Sequence, residues 1–150
     1  MANADNAFGF EPITPNPQAR NVTSGGAFER GDALMYSGGK LVIHDFGDNL
    51  IAGVAAEGAE AADETVVMWS AADTEFKCQV SGSLVIADHV GVKRDIGGST
   101  GAMEMVLASD HNHVTCLAHH PVAGSEDVGA DAVVRVVFCE HASASAPVTS

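Results

Sequence analysis

The fold is decided by residues 31–80, GDALMYSGGKLVIHDFGDNLIAGVAAEGAEAADETVVMWSAADTEFKCQV. Short apolar runs alternate in this stretch with Gly, Asp and Ser pairs. A turn signal at a spacing of about 8–12 residues is typical of a chain that folds back repeatedly into an antiparallel sheet. We therefore expect the rest of the chain to attach to a sheet that this stretch builds.

Individual strands can be predicted from alternation and from turn residues. Gly53 lies inside one predicted strand, where glycine usually marks a bulge or a close approach of two backbones. The successive apolar residues 66–69 predict a strand covered on both faces, which would bury Trp69. Together the pattern predicts a compact all-β fold, an antiparallel barrel or sandwich, with strands at residues 33–36, 40–44, 50–55, 65–70, 75–80, 103–107, 114–117 and 133–140 and a short one after Ser83.

The chain has 150 residues, which is the length of one ordinary domain. Residues 1–25 predict an extended N-terminal arm, because prolines at positions 12, 15 and 17 cannot continue a helix. Residues 26–141 predict the β-rich domain, and residues 142–150 a flexible C-terminal tail. The arm carries large apolar side chains and no evident partner strand, so they fold back on their own domain or lie across another subunit.

The net charge of −13, from 20 acidic and 7 basic residues, disfavours nucleic acid and anionic membranes as partners. The N-terminus has no secretory signal pattern, and no apolar run is long enough to cross a membrane. Cys78, Cys116 and Cys139 are odd in number and form no C-x-x-C motif. These features predict a reduced protein made in the cytoplasm.

Residues 97–101, GGSTG, match the G-x-S-x-G pattern of a nucleophilic serine. That motif requires a strand before the serine and a helix after it, whereas residues 102–107 alternate as a strand. No phosphate-binding loop or dinucleotide fingerprint is present in the sequence. We therefore expect no catalytic residue, no cofactor and no enzyme activity.

Four histidines, at positions 111, 113, 119 and 120, lie within ten residues. His111 and His113 would project to the same side of a strand and could form a metal-binding pair. No third ligand is placed by spacing, and His111 falls in a predicted turn. We expect no metal site here, and a surface or subunit-contact role for the histidines, with a pH-dependent assembly if their neighbours are acidic.

Several stretches together resemble the small capsid decoration, or cement, proteins of tailed bacteriophages: ANADNAFGFEPI (2–13), residues 31–58, LVIADHVGVKRDI (84–96), GGSTGAMEM (97–105) and VGADAVVRVVFCEH (128–141). The resemblance implies a β-tulip-like domain that binds the outer surface of the assembled head, often as a homotrimer, and reinforces contacts between major capsid proteins. It implies location in the virion and no catalytic residues. The histidine-rich segment 110–120 and the Ala-rich loop 55–62 depart from the family pattern.

Three functions follow as expectations. The first is a structural virion protein, whose contacts with the capsid or with a neighbouring copy use Phe8, Phe10, Pro12, Ile13 and Pro15. The second is a module that binds a glycan or another host-surface group, displayed on the virion and using exposed loops such as residues 55–64. The third is a small metal-dependent enzyme that uses His111 and His113.

Overall fold

The computed structural model describes residues 3, 5, 7–47, 50–123 and 127–139. These residues form two β-sheets and one short helix, so the predicted all-β class is confirmed. The elements in chain order are β1 (Glu11–Pro12), β2 (Ala19–Thr23), β3 (Ala33–Ser37), β4 (Lys40–Ile43), β5 (Gly53–Ala55), β6 (Thr65–Ser70), β7 (Phe76–Ser81), α1 (Ile86–His89), β8 (Lys93–Arg94), β9 (Ile96–Ser99), β10 (Ala102–Val106), β11 (Val114–His119) and β12 (Val133–Phe138).

The first sheet has five antiparallel strands in the order β2-β6-β5-β3-β4. Its two edge strands approach each other, because Ser24, just after β2, bridges Leu41 in β4. The Gly25 N–H also donates to the Leu41 carbonyl at 2.6 Å. The sheet is therefore nearly closed into a small barrel, whose interior is filled by Phe28, Leu34, Leu41, Ala52, Ala55, Ala59, Val66 and Met68.

Residue 53 must be a glycine, because β5 and β6 lie too close together there to leave room for a side chain. A Cβ at this position would lie 2.2 Å from the Trp69 carbonyl oxygen and 2.7 Å from the Met68 sulfur. Any larger residue would push the two strands apart. The close backbone approach predicted for this glycine is confirmed.

The second sheet has seven strands in the order β8-β11-β12-β7-β10-β9, with β1 also paired to β7. All pairings are antiparallel except the parallel pairing of β7 with β10. Three phenylalanines lie at its centre, with ring centroids of Phe10 and Phe76 at 5.3 Å and 5.4 Å from that of Phe138. This core also takes Ala33, Ile51 and Val54 from the five-stranded sheet, so one apolar layer joins the two sheets.

Strand β7 shows how far alternation determines burial. Phe76, Cys78 and Val80 alternate along the strand and are buried, and Lys77 keeps an exposed fraction. Strict alternation would place Gln79 on the same side as Lys77. Gln79 is nevertheless buried, and its amide donates to the Asp131 carbonyl at 3.1 Å. A loop folded over the outer face of the sheet accounts for this difference.

Residues 83–101 differ most from the sequence-based expectation. Ser83 forms a single bridge to Ala130 and no strand follows it, because the chain turns once as α1. The glycine-rich segment 97–101 contains most of β9 and the turn into β10. Gly98 has φ +99° and would clash with the Ala102 carbonyl if it carried a Cβ, so a glycine is needed in this hairpin.

Candidate interaction surface

The N-terminal segment is paired with the domain, which corrects the expectation that it lacks a partner strand. Glu11 and Pro12 form β1 against β7, and residues 19–23 form β2 against β6. Both strands lie at positions where the sequence shows prolines or polar residues, so the apolar alternation that signals a strand is missing. The described part of the segment is extended along its own chain.

Of the five residues predicted to contact the capsid or another copy, Phe10 is fully buried in the chain's own core. Its N–H donates to the Gly31 carbonyl at 2.9 Å, and its ring contacts Phe138. The side chain is therefore not accessible to a second chain in this conformation, because it fills the core between the two sheets.

The other four predicted contact residues keep exposed surface: Phe8, Pro12 and Ile13 are half-buried, and Pro15 is exposed. The Ile13 N–H donates to the Glu75 carbonyl at 2.7 Å, which fixes the segment beyond β1. Contact of these four residues with another chain stays a prediction.

The start of the described chain is also held by hydrogen bonds. Asn3 accepts from the Asp127 N–H at 3.0 Å and donates to the Ala130 carbonyl at 2.9 Å. Further along, Gly9 and Gly31 approach so closely that a Cβ on Gly9 would lie 2.8 Å from the Gly31 carbonyl oxygen. The N-terminal segment is thus fitted to the domain at several points.

A row of charged side chains crosses the seven-stranded sheet. Glu11, Lys77 and Arg135 are aligned by register on β1, β7 and β12. The Glu11 carboxylate lies 3.6 Å from the Lys77 ammonium and 3.4 Å from the Arg30 guanidinium. Arg135 pairs with Glu75 at 2.6 Å. The three bases therefore share two carboxylates, Glu11 and Glu75, within the chain.

The exposed apolar side chains are concentrated at one end of the seven-stranded sheet. Leu84 donates its N–H to the Gly129 carbonyl at 2.7 Å, which joins the start of α1 to the 128–130 loop. Gly91 donates to Cys116 at 2.7 Å, and Cys116 donates to Val92 at 3.1 Å, which joins the end of α1 to β11. We name the exposed apolar residues brought together here the apolar rim: Val85, Ile86, Val92, Leu117 and Val128.

The apolar rim lies beside two of the seven basic residues of the chain. Lys93 in β8 is exposed, and Arg94 is partly buried, where its guanidinium donates to the Asp88 carbonyl at 3.2 Å. The sequence contains no signal for this surface, because its members come from the start of α1, the residue before β8, the bulge of β11 and a distant loop. Only the folded chain brings them together.

The histidines divide into buried and exposed groups. His113 is fully buried and contacts His44, which is 2% exposed, with ring centroids 5.1 Å apart. His111 is exposed, and its ring centroid lies 5.6 Å from that of His113. The surface role expected for this group is therefore wrong for His113, because its ring lies where the two sheets meet. Among the described residues, no three His, Cys, Asp or Glu side chains are arranged to hold a metal ion.

Asp95 fixes the loop that precedes β11. Its carboxylate accepts from the N–H groups of Asp110 at 3.0 Å, His111 at 2.8 Å and Asn112 at 2.6 Å. Burial disfavours its charge, but these three backbone hydrogen bonds outweigh burial and lower the pKa of Asp95. The loop is therefore held by a carboxylate that stays ionised in the folded chain.

Two features bear on the other predicted functions. Ser99 of the G-x-S-x-G motif is an exposed residue of β9, and strand β10 follows it, as the sequence predicts. Trp69 is half-buried, so the expectation that both faces of β6 are covered is wrong for its position. The Arg30 guanidinium lies 5.0 Å from the centre of the Trp69 ring and occupies its face.

Comparison with known proteins gives no relative from which a function could be transferred. No family model, curated protein or solved structure matches this chain. Within the described residues, no helix has both the length and the apolar character that a membrane span requires.

Proposed function

We propose that this chain is a decoration protein of tailed-phage heads, which binds the outer surface of the assembled shell and stabilises contacts between major capsid proteins. The observation that carries the proposal is the apolar rim. Among the described residues, seven large apolar side chains are exposed, and five of them belong to the rim. The other two, Tyr36 and Leu50, lie in the five-stranded half of the chain.

An exposed cluster of apolar side chains on an otherwise charged surface is characteristic of a protein-binding site. A specific protein interface buries about 800 Å² on each partner. When such a contact is repeated over many copies on one shell, modest individual affinities give a large total stabilisation. A decoration protein requires only this binding energy, and the resemblance of the sequence to that family agrees with it.

The net charge of −13 supports the same proposal. Strong like charge keeps free copies apart in solution before they reach the shell. Lys93 at the edge of the apolar rim adds a positive group that would favour an acidic contact on the capsid. Assembly as a homotrimer, and contacts of Phe8, Pro12, Ile13 and Pro15 with the capsid or a neighbouring copy, belong to this proposal.

The proposal is tested by co-sedimentation of the purified chain with expanded phage heads that lack their decoration protein. Replacing Ile86 and Leu117 with serine removes exposed apolar area at the rim and is expected to weaken binding by about tenfold or more. Tyr36→Ser is the matched control, because it removes an exposed apolar side chain on the other sheet. Equal binding of the rim variant and the unchanged protein would show that the rim is not the attachment surface.

A glycan-binding module is the alternative, and it has weaker support. Sugar rings stack on exposed aromatic faces, and the face of the single tryptophan, Trp69, is occupied by Arg30. Specific hits on a glycan array, together with no binding to heads, would favour the alternative.

A further inference from the structure

Two buried histidines meet at the junction of the two sheets. His44 follows β4 of the five-stranded sheet, and His113 precedes β11 of the seven-stranded sheet. Their rings are nearly perpendicular, at 86°, with centroids 5.1 Å apart. Phe46 lies on the other side of His44, at 6.0 Å between ring centroids. The contact is therefore an aromatic one between the halves of the molecule.

The hydrogen bonds around both rings select the neutral imidazole. The Phe46 N–H donates to Nδ1 of His44 at 2.9 Å, and the Ile96 N–H donates to Nδ1 of His113 at 3.0 Å. A nitrogen that accepts a hydrogen bond carries no proton, whereas an imidazolium carries a proton on both ring nitrogens. Protonation of either ring therefore breaks a hydrogen bond to the backbone and leaves a buried N–H facing another N–H.

The charged groups around the pair come from several elements. Asp95, between β8 and β9, carries a carboxylate that interacts with His113, and its negative charge favours a positive charge on that ring. His111, in the same loop as His113, opposes such a charge once it is itself protonated. From the segment after β4, the exposed Asp45 accepts from the Gly47 N–H.

Uncharged groups also lie against the pair. Phe46 covers one side of His44. From the end of β12, the Cys139 N–H donates to the His113 carbonyl at 2.9 Å. The Asp95 carboxylate, which would favour a proton on His113, is engaged by three N–H groups of the loop.

We propose that the His44–His113 contact is an acid-labile joint, which holds the two sheets together when both rings are neutral and loosens when either takes up a proton. Once the joint opens, the rings reach water, where histidine takes up a proton near pH 6.5. The open form then binds more protons than the closed form, so acid favours opening. This inference does not depend on the capsid proposal.

The test is the pH dependence of urea unfolding of the full chain between about pH 7.5 and 5.5, where unfolded histidines become charged. The slope of the free energy of unfolding against pH gives the number of protons taken up on unfolding. His44→Asn combined with His113→Asn keeps an acceptor near each Nδ1 position and removes both titrating rings. The unchanged protein is expected to take up about two more protons near pH 5.5 than this double variant. His111→Asn is the matched control and should keep the full uptake, because its ring is exposed.

Equal proton uptake by the double variant and the unchanged protein would overturn the proposal. If the double variant does not fold, long-range nitrogen NMR of the unchanged protein decides the question. The proposal expects both buried rings to keep the neutral form, with the proton on Nε2, down to about pH 5.5, which is below the ordinary histidine pKa of about 6.5. A normal titration of His44 and His113 in the folded protein would contradict it.

Discussion

At the scale of single residues, a few side chains decide whether the two sheets can pack. Phe10 belongs to the N-terminal segment, yet it lies in the core against Phe138, whose ring also contacts Phe76. The sequence shows that its side chain needs burial, since three large apolar residues lie within six positions. It leaves open whether that burial is within the chain or against another one, because β1 lacks the alternation that reveals a partner strand.

Phe10→Ala is expected to lower the free energy of unfolding by about 3–5 kcal/mol, because it leaves a cavity in the shared core. Chemical denaturation followed by Trp69 fluorescence measures the loss. Pro15→Ala serves as the control, since its exposed side chain should matter little. A change below about 1 kcal/mol for Phe10→Ala would mean that this side chain does not fill the core.

Gly53→Ala is expected to destabilise the five-stranded barrel strongly, because the added Cβ would lie 2.2 Å from the Trp69 carbonyl oxygen. Two strands would have to separate, at a cost of about 1–3 kcal/mol or more. Gly26→Ala is the matched control, because a Cβ there meets no atom within 4 Å. Thermal unfolding of the two variants gives the comparison, and equal melting temperatures would contradict the close packing of β5 and β6.

At the scale of elements, regular strands could be predicted and irregular ones could not. Strands β3, β4, β6, β7, β10, β11 and β12 lie within a few residues of their predicted positions, because alternation and turn residues identify them. Helix α1 has no cap and only four residues, so neither periodicity nor capping could reveal it. The apolar rim depends on α1 and on a bulge in β11, which explains why it could not be predicted from the sequence.

Two buried carboxylates join loops to the sheets, and they respond to pH in opposite directions. Asp32 accepts from the N–H groups of Glu29 at 2.9 Å and Gly101 at 2.7 Å, which ties the chain before β3 to the β9–β10 turn. Burial raises the pKa of Asp32, although these hydrogen bonds work against it. In Asp95 the backbone hydrogen bonds outweigh the effect of burial, and its pKa is lowered.

A carboxyl group whose pKa is raised by folding contributes stability at low pH, and this contribution is lost as the pH rises through its folded pKa. A carboxyl group whose pKa is lowered by folding contributes stability at higher pH, and this contribution is lost as the pH falls through its folded pKa. Asp32→Asn is therefore expected to gain stability relative to the unchanged protein between about pH 3 and 6, the range around the normal aspartate pKa of about 3.9. Asp95→Asn is expected to lose relative stability over the same range. The midpoints of urea unfolding, measured at the two ends of this pH range, give these differences. The same change in stability with pH for both variants would contradict the opposite pKa shifts of Asp32 and Asp95.

At the scale of the whole molecule, a charged protein carries its exposed apolar side chains mainly at one end. The five-stranded barrel has its own core and shares a second core with the larger sheet, so the fold is held from within. The apolar rim is not needed for that packing, since its members keep a large exposed fraction. A surface of this kind fits a protein that acts by binding to another protein, as the proposed decoration of a phage head requires.

The most direct measurement is a cryo-electron microscopy reconstruction of phage heads incubated with this chain, compared with heads that lack it. The proposal predicts additional density on the outer surface at regular lattice positions, with the apolar rim facing the major capsid protein. Heads that show no added density at saturating protein, or density with the rim pointing to solvent, would contradict it.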